Sequence, residues 1–117
     1  MPDKSPARVV SPDAITFTPR FEYGHMAKAA TLSGPEDGTR LGSGYVKLTQ
    51  AEIPWTIKYD EVILVLEGSL TVRTADGDLD LEPHQTIWLP KGTALTYVAE
   101  DALVFFAIEP ADWAKEA

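Results

Sequence analysis

The stretch from Pro54 to Gly68, PWTIKYDEVILVLEG, constrains the fold of this chain more than any other. Alternating polar and apolar residues lead into Tyr59-Asp60-Glu61, the apolar run Val62 to Leu66 follows, and Glu67-Gly68 ends it. A run of five residues rich in β-branched side chains, bounded by a proline and a glycine, predicts a buried strand entering a tight turn rather than a helix. Period-two alternation then places residues 55, 57, 59, 61, 63 and 65 on one face. Val62, Leu64 and Leu66 make an apolar opposite face, which a second sheet or another subunit must cover.

The rest of the chain is punctuated in the same way. Met1 to Ser11 reads as a loose arm or an added edge strand, and Ala14 to Phe17 as a short strand. Pro19-Arg20-Phe21 and Tyr23-Gly24-His25 read as irregular chain carrying aromatic anchors. Met26 to Leu32 has helical composition, broken by Ser33-Gly34-Pro35 and Asp37-Gly38. Tyr45 to Thr49 alternates as a strand, and Glu52-Ile53-Pro54 is expected to turn the chain. Ser69 to Thr74 is another alternating run, followed at Asp76-Gly77 by a two-residue hairpin signal, since both residue types tolerate positive φ. Thr86 to Leu89 is a short strand and Pro90-Lys91-Gly92 a turn. Ala94 to Ala99 and Ala102 to Ile108 are expected to pair across Glu100-Asp101, and Pro110 to Lys115 to make one helical turn with Trp113 folded back on the body. Eight or more short strands with Gly, Pro and Asp between them predict an all-β barrel or sandwich.

Length and composition bound the function. At 117 residues the chain is the size of one domain. That domain divides into an N-terminal arm and irregular segment (1–43), a core (44–108) and a C-terminal tail (109–117). Its net charge of −8 repels nucleic-acid phosphates. Without cysteine there is no disulfide framework, thiolate nucleophile or Cys-ligated zinc. The longest apolar run, Val62 to Leu66, is too short to span a membrane, and MPDKSPARVV has no signal-peptide core, so the expectation is a cytoplasmic protein with no membrane or nucleic-acid partner.

The spacing of Glu61 and Gly68, with six residues between them, and the later block QTIWLPKGTAL together resemble the two signature motifs of the cupin superfamily. Pro90 and Gly92 match the turn of the second motif. Within that superfamily, PWTIKYDEVILVLEG, WLPKGTAL and the ending Pro110-Ala111-Asp112-Trp113 look most like the cupin domain of the ethanolamine-utilisation EutQ family. The resemblance implies a single-domain double-stranded β-helix of the RmlC-like, jelly-roll type, and a homodimer. Members of that family are associated with bacterial microcompartments and an acetate kinase activity. No G-x-x-x-x-G-K-[ST] loop is present to cradle a nucleotide.

The three histidine positions of the superfamily's metal site fall on Trp55, Ile57 and Leu95. None can ligate a metal through its side chain, so no metal and no cofactor is expected. His84, where the second motif opens with glycine, reads as a turn residue, and His25 as structural or exposed. The superfamily's barrel-lining face carries Glu61, where apolar neighbours would raise its pKa and make it a candidate general acid or base. A structural network with Tyr97, Tyr45 or a lysine is the alternative. Tyr97 shares the parity of Leu95 and is the second candidate catalytic group. Tyr45, Lys47, Trp55, Ile57 and Leu95 complete the candidate ligand pocket, with Lys47 as counter-charge to an anion or, alternatively, on a solvated strand face. Arg73 and Arg40 are weaker counter-charge candidates. Trp88 and Trp55 fill the barrel or a dimer contact, or else meet a ligand. Asp60 points away from Glu61. The expectation is a metal-free barrel binding a small carboxylate- or carbonyl-bearing molecule. Its alternatives are a metal-independent isomerase, an acetate-kinase-like phosphotransferase, and a structural protein with a plugged barrel.

Overall fold

The computed structural model describes residues 4–19 and 24–116. Among them, in chain order, are β1 (Thr18–Pro19), β2 (Ala27–Ser33), β3 (Gly42–Thr56), β4 (Asp60–Gly68), β5 (Leu70–Thr74), β6 (Gly77–Leu81), β7 (Thr86–Leu89), β8 (Ala94–Glu109) and the helical turn α1 (Trp113–Glu116). The strand that organises the rest is β8. Its second half lies between the first half of β3 and β4, and its first half lies between the second half of β3 and β5. Beyond these, β1 and β2 extend the first group past β3, β7 extends it past β4, and β6 extends the second group past β5. All pairings are antiparallel. Two long strands that pass from one sheet to the other make the jelly-roll-like barrel.

The sheets change at one corner, where three strands bend together. Thr49 pairs with Asp101 and Ala51 with Ala99, and Gln50 between them takes φ 42°. In β4 the register shifts between Val65 and Glu67, the mark of a bulge. Gly68 follows at φ 76°, where an added Cβ would lie 2.0 Å from the Asp101 carbonyl oxygen. The bend exchanges the faces. Leu48 is buried before it, and Ala51 and Ile53 after it; Leu95 and Ala99 are buried on β8 before it, and Ala102 and Val104 after it.

This corner corrects two expectations. Glu100-Asp101 is not a hairpin turn: the two halves of β8 run on as one strand, and each pairs with β3 instead of with the other. Glu52-Ile53-Pro54 likewise stays within β3, with the change of direction at Gln50. A bend with a parity switch and a hairpin leave the same trace in hydrophobic alternation, and no glycine marks either place. Two further readings fail locally. Met26 to Leu32 falls largely within β2, because pairing with β3 and burial of Ala27, Ala29 and Ala30 override the helix preference of an alanine-rich segment. Ala14 to Phe17 is turn and irregular chain, with pairing limited to Thr18 and Pro19. Residues 4–10 form an irregular arm. Arg20, Phe21 and Tyr23 lie outside the described residues.

Thr74 pairs with Gly77, so the hairpin forms but its two-residue loop is Ala75-Asp76, one position before the Asp76-Gly77 expected, and of Asp76 and Gly77 only Gly77 takes positive φ. Asp60 is exposed and its carboxylate accepts the Lys91 N–H at 2.8 Å, holding the turn before β8. Between the sheets, Ile57, Val65, Leu70 and Val72 are fully buried. Among the described residues no helix is long and apolar enough to cross a membrane.

The arm is tied to the barrel by Asp37. Arg8 reaches the Asp37 carboxylate at 3.1 Å and also donates to the Leu32 carbonyl, while the Ser5 N–H donates to the Asp37 carbonyl at 3.2 Å. The Ser5 side chain, more than the Gly34 N–H or Arg8, holds the Asp37 carboxyl below its usual 3.8. A carboxyl lowered on folding stabilises the docked arm above its unfolded value, and the contribution is lost as pH falls through the lowered folded value. We therefore expect the NMR amide signals of Ser5 and residues 7–10 to stay at their folded positions from neutral pH down to about 4, the ordinary carboxyl range. They should move toward random-coil positions below that. Release near neutral pH would contradict the tie.

Candidate functional site

The barrel encloses a cavity of about 380 Å³ between the two sheets. Its polar centre is a pair contributed by both. Glu61 stands on β4, fixed by its register opposite Leu89 of β7 and Ile108 of β8, and is 94% buried by its 6% exposure. Tyr97 stands on the first half of β8, opposite Ile53 and Val72. Its hydroxyl crosses the barrel and donates to Glu61 Oε1 at 2.7 Å. Two residues 36 positions apart thus meet because β8 belongs to both sheets.

Three aromatic rings from separate elements line one part of the cavity. Trp55 comes from the end of β3, Tyr59 from the loop before β4, and Trp113 from α1. The tail is directed there by the Ala111 N–H, which donates to the Arg40 carbonyl at 2.8 Å. It passes close over Gly42, where a Cβ would stand 2.8 Å from Ile108 and 3.1 Å from Ala111. Trp113 then lies edge-on to Trp55, with ring centroids 5.7 Å apart, and tilted against Tyr59 at 5.4 Å. Ile63, Leu70, Val104 and Phe106 supply the apolar wall.

The structure brings together Glu61, Tyr97 and Trp55 from the sequence-derived set, and leaves four residues out of the cavity. Ile57 and Leu95 are buried in the core cluster without lining it. Tyr45 and Lys47 are on the outside of β3, because the inward residues before Gln50 are Val46 and Leu48. The Tyr45 hydroxyl donates to the Val10 carbonyl at 3.4 Å, and the Lys47 ammonium sits 4.3 Å from the Phe17 ring centroid. Arg73 is half-exposed beside Glu52 and Asp78, and Arg40 pairs with Glu109 at 3.0 Å. His84 takes φ 73° in a turn and His25 is exposed. Trp88 is 60% exposed, so it does not fill the barrel; it stands opposite Val62. Tyr59, Phe106 and Trp113 also line the cavity, outside the sequence-derived set. The inward parity of Val104 and Ile108 would have found Phe106, whereas the place of Trp113 depends on where the tail folds.

The donor set does not fit the metal that the superfamily pattern implies. Trp55, Ile57 and Leu95 carry no ligating atoms, Glu61 is the one acidic residue of the described cavity wall, and among the described residues no group of three His, Asp or Glu could hold an ion.

Comparison with known proteins decides the family. Residues 19–115 match the family model described as "Ethanolamine utilisation protein EutQ". The chain belongs to the EutQ family. It is 27% identical over 113 residues to the Salmonella typhimurium protein named "Acetate kinase EutQ", a match covering 94% of this chain and 49% of that one. The chain spans about half the length of the curated EutQ relatives it matches. A crystal structure described as ethanolamine utilization protein q from Salmonella typhimurium LT2 is similar with TM-score 0.79 at 23% identity, covering 88% of this chain and 85% of that one. An RmlC-like cupin from Shewanella frigidimarina is similar with TM-score 0.72 at 14% identity, covering 91% and 93%. The cupin fold of this EutQ chain is thereby shown.

The Glu61–Tyr97 pair makes a prediction of its own. Tyr97→Phe removes one donor to a buried carboxyl oxygen and is expected to cost about 1 kcal/mol. Urea denaturation of Tyr97→Phe, Glu61→Gln and the double variant should show coupling of the two sites. Additive losses would mean that the 2.7 Å bond contributes nothing to stability.

Proposed function

We propose that this chain binds a small molecule inside its barrel, with the ligand's polar group against Glu61 and Tyr97 and its apolar part in the aromatic-lined cavity. The observation that carries this reading is the 380 Å³ space with the Glu61–Tyr97 pair in its described wall. Binding cavities are commonly about 300–1,000 Å³, mostly apolar, with a few convergent polar groups. A barrel plugged by the apolar replacements would not keep such a space. A carbonyl-bearing ligand would take the Tyr97 O–H in place of Glu61 Oε1, to which that hydroxyl donates. A carboxylate-bearing one loses the counter-charge expected of Lys47, which stands outside.

Catalysis is the second reading, favoured by one observation: the 2.7 Å contact between a carboxyl and a phenol is within the reach that proton transfer needs. In this reading Glu61 and Tyr97 act as acid and base on a small molecule. The name of the curated relatives points instead to phosphoryl transfer. That chemistry relies on cationic and metal-held stabilisation of phosphate charge, and the described cavity wall holds neither Lys nor Arg. We therefore place it behind binding.

The test is thermal-shift screening of the wild type beside Ala27→Leu, which adds bulk to a residue of the cavity wall. A ligand at a hundred times its Kd stabilises by about 2.7 kcal/mol. Hits should raise the wild-type Tm by about 10 °C and leave that of Ala27→Leu unchanged. Equal shifts in both would place the ligand elsewhere and overturn the proposal.

A further inference from the structure

We infer that the outer face of the sheet at β8, β4 and β7 is the contact between two copies of this chain. The inference does not depend on what the barrel binds. Glu61 and Ile63 line the cavity, so Val62 and Leu64 between and beside them point outward. Val62 is 45% exposed and stands opposite Ala107 of β8 and Trp88 of β7, itself 60% exposed. Leu64, next on that face, lies opposite Phe105 and Thr86. Leu64, Phe105 and Ala107 are half-buried and Thr86 is exposed. These six side chains cover three neighbouring strands without a charge, and five of them are apolar. The same face is already covered beyond β8. Phe105 meets Tyr45 of β3 edge-on with ring centroids 5.5 Å apart, and the Tyr45 hydroxyl donates to the Val10 carbonyl of the N-terminal arm. Ser43, the β3 neighbour of Ala107, is buried. The chain thus covers the β3 end of this face itself and leaves the β4 and β7 end open.

Charge decides which partner fits. The chain carries a net charge of −8, yet the acidic residues beside this patch are exposed at its two ends. Asp60 and Glu109 stand opposite each other at one end, and Glu67 and Asp101 at the other. A basic partner would be drawn to those ends, whereas the centre offers it nothing. Interfaces between identical chains are the more apolar kind, with charge kept out of the core and Trp and Phe enriched in it. A second copy brings the same uncharged sheet face, and a two-fold contact sets apolar on apolar without burying an unpaired charge. Two such faces pack about 10 Å apart with their side chains interleaved. Trp88, the largest of the six, is the anchor of the contact.

The experiment is sedimentation velocity of the full chain over a concentration series. The wild type should sediment at twice the chain mass at about 10 μM. Trp88→Glu and Val62→Glu each place a carboxylate in the patch of both copies and should weaken association at least about a hundredfold. Leu79→Glu, at a 49% exposed position on β6 away from this face, should leave it unchanged. Salt screens the repulsion between two acidic chains and should tighten the wild-type dimer. Circular dichroism checks that each variant is folded, and a dilution series of the wild type needs no variant. On dilution the Trp88 indole N–H signal should move while those of Trp55 and Trp113, inside the barrel, stay in place. A wild type that is monomeric at about 100 μM overturns the inference, whether the face is free or meets another partner. A dimer that survives both substitutions on the patch, that salt dissociates, or whose dilution leaves the Trp88 signal unmoved also overturns it, because the copies then meet elsewhere.

Discussion

Gly68→Ala is expected to lower folding stability by about 2–5 kcal/mol, one of the two largest single-site effects expected of this fold. A residue with a Cβ pays about 1–2 kcal/mol for the left-handed backbone at φ 76°. The Cβ must also displace the Asp101 carbonyl, which would lie 2.0 Å away, and forced repacking of that kind typically costs about 1–3 kcal/mol. Asp101 lies in the bend where β8 changes sheets, so the strain enters the strand that holds both together. Gly92→Ala is the control. Its φ of 95° also disfavours a side chain, but nothing lies within 4 Å of the added atom. Urea midpoints should therefore fall much further for Gly68→Ala than for Gly92→Ala. Equal midpoints would mean that the corner yields easily and that the close approach at Gly68 has no energetic consequence.

The second large effect is expected at Ile57. It occupies a position where the cupin pattern has a metal-ligating histidine, yet here it is 1% exposed and packed in the core. Its backbone joins two loops: the Ile57 N–H donates to the Thr93 carbonyl at 3.1 Å, and the Gly92 N–H donates to the Ile57 carbonyl at 2.9 Å. Ile57→Ala leaves those bonds in place and empties the side-chain site, for a cost of about 2–5 kcal/mol and a fall in Tm of about 10 °C or more. Differential scanning calorimetry reads both. A loss below about 1 kcal/mol, in the range of surface substitutions rather than core ones, would mean that the residue is not a packing element and that the position has kept space for a ligand.

How far the sequence reveals this structure differs from element to element. The strand from Asp60 to Gly68, the Ser69 to Leu81 hairpin, the Thr86 to Leu89 strand and the Pro90-Lys91-Gly92 turn are legible because local turn chemistry and alternation agree there. Parity alone points Glu61 and Tyr97 into the barrel, which suffices when both residues lie on undistorted stretches. Parity fails for Tyr45 and Lys47. They precede Gln50, where a positive φ in a residue that seldom adopts one exchanges the two faces of β3. The unbroken course of β8 through Glu100-Asp101 leaves no local mark in the sequence because its cause is distant, in the pairing with β3 and the approach of Gly68. The alanine-rich β2 is a strand because β3 lies beside it. Trp113 belongs to a tail whose course is set by Arg40 and Gly42, neither of which marks it in the sequence.

The central claim is that the interior of the barrel is where a small molecule binds. The three tryptophans give a direct reading, since Trp55 and Trp113 line the cavity whereas Trp88 stands on the outer surface. Each gives one indole N–H signal in a two-dimensional ¹H–¹⁵N NMR spectrum, and a library of small polar-headed compounds can be titrated against all three at once. The account predicts binders that move the Trp55 and Trp113 signals together and leave Trp88 in place. A library without such a binder, or binders that move Trp88 alone, would contradict it.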